Sequence, residues 1–149
     1  MNSKAKVEKL LELQDIIPIK EKDTHKEYKD ISVNVLKKLG VKETSEFYEL
    51  YIRYFLGGLN KRDDAYEIID PCPPQNMERA TNFAHEYWDI PNNYILFSAG
   101  SSESGYLYNT ENEKIYEFSL GQQHLLGTNQ LKHWDSFYEF MVWYLTVDE

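Results

Sequence analysis

The residues of this 149-residue chain that could do chemistry are a serine-rich loop, a His-Glu pair, one cysteine and several paired carboxylates. The loop, residues 100–105, reads Gly-Ser-Ser-Glu-Ser-Gly. A nucleophile elbow instead requires Gly-x-Ser-x-Gly between a strand and a helix. Strand-like sequence lies on both sides of this loop, so the pattern predicts a hairpin turn and not a nucleophile.

Metal and phosphate sites need residue patterns that this sequence does not provide. His85-Glu86 begins like the helix of a zinc protease, but Asp89 stands where the second histidine is required. The four histidines fall in separate segments, and neither of the glycine-rich phosphate-binding patterns occurs. We therefore expect no metal and no cofactor.

Cys72 and the carboxylate pairs are the remaining candidates for catalysis. Cys72 lies between two prolines, and no neighbouring residue would activate its thiol, so we interpret it as inert. Pairs such as Asp63-Asp64 and Glu67/Asp70 have the residue types of an acid and a base. In a chain with 25 acidic residues, however, such pairs arise by chance. The sequence predicts no enzyme.

Charge is distributed unevenly along the chain. The formal net charge is −9; residues 1–42 carry ten lysines against seven acidic side chains, and residues 43–149 carry six basic against 18 acidic ones. An acidic surface repels phosphate backbones, which disfavours nucleic-acid binding. The same surface would attract a basic protein, although solubility alone explains the charge equally well.

Compartment and solubility follow from three further features. A single cysteine leaves no internal disulfide, and the first residues contain no apolar signal-peptide core. The longest apolar run is residues 140–145, far shorter than the ~20 residues that span a bilayer. We expect a soluble, cytoplasmic protein that does not contact a membrane.

Hydrophobic periodicity defines the elements that must position any site. Helical spacing runs through residues 4–13 and should end at residues 15–18. A Thr24/Glu27 capping box predicts the start of a second helix that ends at Gly40. A third helix follows from Thr44 or Ser45 and should end at residues 57–58. The apolar stripe of the second helix comprises Tyr28, Ile31, Val35 and Leu39.

From residue 66 the pattern changes. Residues 66–69 read as a short strand, residues 77–87 as a helix, and residues 94–97, 106–108 and 114–118 as strands of an antiparallel meander. A capping box at Ser136 and Glu139, with Trp134 as its hydrophobic staple, opens the last helix. The order predicts a single α+β domain, an antiparallel sheet flanked by N-terminal helices, a mid-chain helix and a C-terminal helix.

The predicted elements carry a series of short motifs: Leu39-Gly40 after a helix, Gly57-Gly58 after an aromatic helix, Ile95–Phe97, Gly105–Tyr108, Ile115-Tyr116 and Ser136–Phe140. These motifs, in this order, resemble the SUKH superfamily, which contains bacterial immunity proteins and the fungal cell-wall-synthesis regulator. The resemblance covers about residues 30–145, and Glu43-Thr44 stands where the family usually has Leu-Pro. Residues 1–29 lie outside it and are expected to form a helical extension of a 30–149 domain.

The resemblance implies protein binding rather than catalysis. Many SUKH members are encoded beside polymorphic toxins, frequently nucleases, and neutralise them by direct contact. A nuclease needs a basic cleft, which the acidic body of this chain would attract. We therefore expect an immunity protein whose partner is a basic toxin domain. The alternative is a non-catalytic regulatory or scaffold module that binds endogenous protein partners.

The family pattern supplies no contact residues, so candidates must come from this chain. Acidic groups would steer the encounter, and aromatic groups would slow dissociation. For any single candidate, a solvated surface position is the simpler interpretation. The candidate partner-binding residues are Asp63, Asp64, Glu67 and Asp70 around the first predicted strand, with Glu103 and Tyr106 on the meander.

Overall fold

A computed structural model describes residues 2–14 and 22–147 of the chain. Within these ranges, five α-helices and a four-stranded antiparallel sheet confirm the predicted α+β class. The helices are α1 (Ser3–Glu12), α2 (Lys26–Lys38), α3 (Glu46–Arg53), α4 (Met77–Tyr87) and α5 (Phe137–Leu145). The strands are β1 (Tyr94–Leu96), β2 (Ser104–Asn109), β3 (Ile115–Ser119) and β4 (His133–Trp134).

The sheet is a meander in which neighbours in sequence are also neighbours in space, in the order β1-β2-β3-β4. Tyr108 of β2 lies opposite Ile95 of β1 and Ile115 of β3. Because side chains alternate along a strand, these residues share one face, which packs into the larger core. Leu107 and Phe118 face the opposite side and belong to a second, smaller core.

The larger core is formed by helices from both ends of the chain. α1 packs against α5, and Val7 and Leu11 of α1 are buried in the same cluster as Phe47 of α3 and Phe140 of α5. The expected boundary between residues 1–29 and 30–149 falls inside α2. The helix that lies outside the family resemblance therefore contributes to the core of the domain.

The smaller core is covered by α4. Ala84 and Trp88 pack there with Leu96 and other residues of the second sheet face. The Thr81 hydroxyl oxygen accepts a hydrogen bond from the Leu96 amide at 3.2 Å, which fixes α4 to β1. Each face of the sheet is thus buried, one under α4 and the other under α3 and α5.

Several helix ends form where local sequence predicts them. The side-chain oxygens of Ser45 and Ser136 each accept a hydrogen bond at 3.1 Å from the amide three residues on, at the starts of α3 and α5. Gly40 follows α2 with a φ of +84°, and Val41 donates to the Leu36 carbonyl at 3.0 Å. This is the Schellman geometry that glycine favours.

Two predicted helix ends are wrong. Thr24 lies inside a 3₁₀ turn over Lys22–Thr24, so α2 begins at Lys26, and its N-cap, His25, makes no side-chain capping bond. α3 ends at Arg53 because Tyr54 adopts an extended backbone, four residues before Gly57-Gly58. The predicted end of the first helix, at residues 15–18, lies outside the described residues.

Two further predictions need correction. The stripe predicted for α2 forms only the margin of its buried face, since the fully buried residues of that helix are Ser32 and Leu36. The predicted strand at residues 66–69 is reduced to a single antiparallel bridge between Ile68 and Ser98. Trp134, predicted as a staple, lies in the two-residue strand β4 and packs edge-on against Phe140 of α5 with ring centroids 5.0 Å apart, so the predicted contact is present.

Candidate partner-binding site

The six candidate residues divide into four at the surface and two in the interior. Their positions are as follows: Asp63, Asp64, Glu67 and Glu103 are exposed, whereas Asp70 and Tyr106 are buried. The exposed group can meet another protein directly. The buried pair has internal partners, which define a different role for each.

Tyr106 is completely buried and holds the 66–69 segment to the sheet. Its ring packs edge-on against Phe140, with centroids 4.9 Å apart, and its hydroxyl accepts a hydrogen bond from the Tyr66 amide at 3.0 Å. Burial raises the pKa of the Tyr106 hydroxyl. The position corrects our expectation of a surface contact: Tyr106 stabilises the fold where residues 66–69 meet the sheet.

Asp70 organises the backbone that follows α3. Its carboxylate accepts hydrogen bonds from the Leu56 amide at 3.1 Å and from the Gly57 amide at 2.8 Å. The Lys22 ammonium, which is fully buried, lies 3.2 Å from the same carboxylate and donates to the Tyr51 carbonyl. The negative charge of Asp70 is therefore matched inside the protein, which corrects the expectation that it faces a partner.

Three exposed acidic residues, Asp63, Asp64 and Glu67, belong to residues 63–67 between α3 and α4, which we call the acidic segment. Arg62 donates to the Asp64 carboxylate at 2.7 Å, and this hydrogen bond lowers the pKa of Asp64. Neither Asp63 nor Glu67 forms an ion pair with any residue in the described ranges. Two of the three negative charges are thus uncompensated and available to a cation.

The acidic segment has a well-supported backbone. The Arg62 amide donates to the Tyr144 carbonyl at 3.0 Å, and the Ile68 amide donates to the Tyr144 hydroxyl at 3.0 Å. The Ala99 amide donates to the Glu67 carbonyl at 2.9 Å. This last bond places Glu67 beside Ala99, where the loop that carries Glu103 begins.

A pocket of about 380 Å³ adjoins the acidic segment and is absent from the sequence-based prediction. Three rings form one side: the Tyr28 and Phe55 centroids are 5.8 Å apart at 73°, and His25 lies 6.0 Å from Phe55. Glu67 and the pair Pro73-Pro74 also line it. These residues come from three separate segments, so only the tertiary fold reveals the pocket.

The candidates for chemistry have ordinary surroundings. Cys72 is buried, which raises the pKa of its thiol. Over residues 2–14 and 22–147, no group of three or more His, Cys, Asp or Glu side chains is arranged to hold a metal ion. In the same ranges, no helix combines the length and apolar character needed to cross a membrane.

Comparison of this chain with known proteins found no relative. No family model matches the chain, and neither the curated proteins nor the solved structures contain a significant match. The function must therefore be inferred from the acidic segment, the hydrogen bonds that support it and the adjoining pocket.

Proposed function

We propose that this protein is a SUKH-like immunity protein that binds a basic toxin domain and blocks its active site. The observation that carries the proposal is the exposed acidic segment, in which Asp63 and Glu67 form no ion pair with any residue of the described ranges. The net charge of −9 adds a long-range field of the same sign. The motif order described above supports the same class of function.

In the proposed complex, carboxylates of this protein take the places that substrate phosphates occupy in the cleft of the toxin. A nuclease cleft carries cationic side chains that neutralise its substrate, and a row of carboxylates can occupy the same positions. Opposite charges accelerate the encounter, which at low salt reaches on the order of 10⁸ M⁻¹s⁻¹ for the best-steered complexes. Because hydrogen bonds already order the segment, binding loses less conformational entropy than it would with a free loop.

The first experiment is capture of the tagged protein from its own host at low salt, followed by mass spectrometry. The proposal expects one basic partner that is released at high salt and kills cells when it is expressed without this protein. Several neutral endogenous partners would support the scaffold alternative instead. Recovery of no toxic partner under conditions where toxin genes are expressed would contradict the immunity proposal.

A charge-reversal variant tests the surface itself. Replacing Asp63, Asp64 and Glu67 together with lysine should slow association with the basic partner and flatten its salt dependence, as measured by stopped-flow fluorescence. The matched control reverses three exposed carboxylates elsewhere, Glu43, Glu86 and Glu111, and so changes the net charge equally. If both variants slow association to the same extent, net charge alone acts and the acidic segment is not the contact surface.

A further inference from the structure

The pocket beside the acidic segment has the walls of a cation-binding site. We call it the aromatic pocket and define it by His25, Tyr28, Phe55, Glu67, Pro73 and Pro74. The Tyr28 side chain is 38% exposed, so part of its ring is open to solvent. The volume of about 380 Å³ is at the lower end for ligand pockets and accommodates a single long side chain.

The charge of the aromatic pocket is set by Glu67. Asp70 also lines the pocket, but Lys22 and two backbone amides already match its charge. Glu67 has no such partner among the residues that the structure describes. The N-terminus of α2 lies beside the pocket and carries the positive end of the helix dipole. Glu27, in the first turn of that helix, offsets this partial positive charge. Glu67, with an uncompensated carboxylate, therefore lines an otherwise largely apolar cavity.

This combination selects among three kinds of occupant. An apolar side chain would remove water from the Glu67 carboxylate without replacing its hydrogen bonds, which is costly. An anion would be repelled by the same carboxylate. A cation gains both the carboxylate and the ring of Tyr28, since the Lys22 ammonium already lies over the Phe55 ring, 5.3 Å from its centroid. Among cationic side chains, arginine fits best because its planar guanidinium stacks on a ring and binds a carboxylate through two parallel hydrogen bonds.

We propose that the aromatic pocket binds an arginine side chain of the basic partner, with its guanidinium against Tyr28 and paired with Glu67. The identity of the partner rests on the proposed function, whereas affinity for arginine does not. The pocket would then supply the central anchor of the interface, and the neighbouring carboxylates would steer the approach.

The test uses the tripeptide acetyl-Gly-Arg-Gly-amide as the probe and ¹H–¹⁵N correlation spectra of the full chain. We expect saturable chemical-shift changes at the amides of Tyr28, Gly57 and Gly58, with millimolar affinity. The peptide with citrulline in place of arginine is nearly isosteric but uncharged, and it should bind roughly tenfold more weakly. Equal binding of the two peptides, or changes that map elsewhere, would overturn the proposal.

Matched variants separate the two contacts. Glu67→Gln should weaken arginine binding about tenfold, and Tyr28→Ala about threefold, whereas Tyr28→Phe keeps the ring and should bind as the wild type does. Glu86→Gln removes an exposed carboxylate outside the pocket and should leave binding unchanged. The spectra themselves show that each variant is folded. Unaltered binding in Glu67→Gln would contradict the assignment.

The pocket and the proposed function can fail separately. If the captured basic partner binds Glu67→Gln and Tyr28→Ala as tightly as the wild type, the pocket is not its anchor, although the immunity proposal stands. If the arginine peptide binds as described but no toxic basic partner is captured, the immunity proposal fails and the pocket assignment stands.

Discussion

Lys22 and Asp70 form a buried ion pair across 48 residues of sequence, with the lysine nitrogen 3.2 Å from a carboxylate oxygen. Lys22 belongs to the turn before α2, and Asp70 lies on the segment that leads to α4. The pair therefore joins the N-terminal part of the chain to the segment that lines the aromatic pocket.

Replacement of Lys22 with methionine should destabilise the protein strongly. The Asp70 carboxylate would remain buried without its counter-charge, a change that typically costs about 3 kcal/mol or more. The double variant Lys22→Met/Asp70→Asn should recover part of this loss, because neither charge is then left unpaired. Urea unfolding at pH 7 measures the free energy of unfolding of each variant.

An exposed ion pair provides the control for this prediction. Lys38 lies 2.7 Å from Glu78, and 70% of the Lys38 side chain is exposed. Lys38→Met should change the free energy of unfolding by no more than about 1 kcal/mol. Similar effects of Lys22→Met and Lys38→Met would show that burial does not strengthen the Lys22–Asp70 pair.

Buried tyrosines should differ in the stability they lose when the hydroxyl is removed, according to whether that hydroxyl is hydrogen-bonded. The Tyr51 hydroxyl has no hydrogen-bond partner within the described part of the chain, whereas those of Tyr106 and Tyr144 each accept from a backbone amide at 3.0 Å. Tyr51→Phe should therefore be neutral or stabilising. Tyr144→Phe should lose roughly 1–3 kcal/mol, because the Ile68 amide is left unsatisfied. Thermal and urea unfolding would measure both, and a destabilised Tyr51→Phe would contradict the assignment.

Glu49 should contribute stability that disappears in acid. The Tyr138 hydroxyl donates to its carboxylate at 2.7 Å, and this bond, with help from Lys4, lowers the pKa of Glu49 below 4.5. A lowered pKa means that the folded state favours the ionised form, so the contribution is present above pH 4.5 and is lost as pH falls through the folded pKa. Glu49→Gln should be less stable than the wild type at pH 7, and the difference should shrink below pH 4.

Glu46, one turn earlier on α3, should contribute to stability with the opposite dependence on pH. Burial raises the pKa of its carboxyl above 4.5, so its contribution is present below that pH and is lost as pH rises. Glu46→Gln keeps an acceptor for the Tyr138 amide and should gain stability relative to the wild type between pH 4 and pH 7. Parallel pH profiles for the two variants would contradict both assignments.

Gly105 in β2 should not tolerate a side chain. A Cβ atom there would lie 2.6 Å from the Ser98 hydroxyl oxygen and 2.7 Å from a methyl carbon of Leu96. Ser98 cannot easily move, because its oxygen accepts a hydrogen bond from the Tyr106 amide at 2.8 Å. We expect Gly105→Ala to lose roughly 1–3 kcal/mol in urea unfolding. Wild-type stability in this variant would show that the strand has room to adjust.

The sequence predicts elements well where a local signal defines them. Ser45, Ser136 and Gly40 each act through their own backbone neighbours, so their roles are readable from a few residues. The chain after α3 is different, because Asp70, from a distant segment, accepts hydrogen bonds from the Leu56 and Gly57 amides that follow the helix. The strand β4 has only two residues, which is too short to show a periodicity.

The sequence identified the exposed carboxylates as candidates, but it did not predict which residues are buried around them or that a pocket lies beside them. Asp63, Glu67 and Glu103 are visible in sequence as charges near turns. Burial of Asp70 and Tyr106 depends on contacts with Lys22 and Tyr66, and a single sequence carries no signal for either contact. The aromatic pocket likewise needs rings from two segments and prolines from a third.

The outer strands of the sheet, β1 and β4, have only three and two residues. A long open edge offers a row of unpaired amides and carbonyls to which a foreign strand can attach. These short edges offer few such groups, which disfavours recognition by strand addition and growth of the sheet from one molecule to the next. Affinity for a partner must then come from side chains, so a handful of substitutions could redirect specificity without altering the fold.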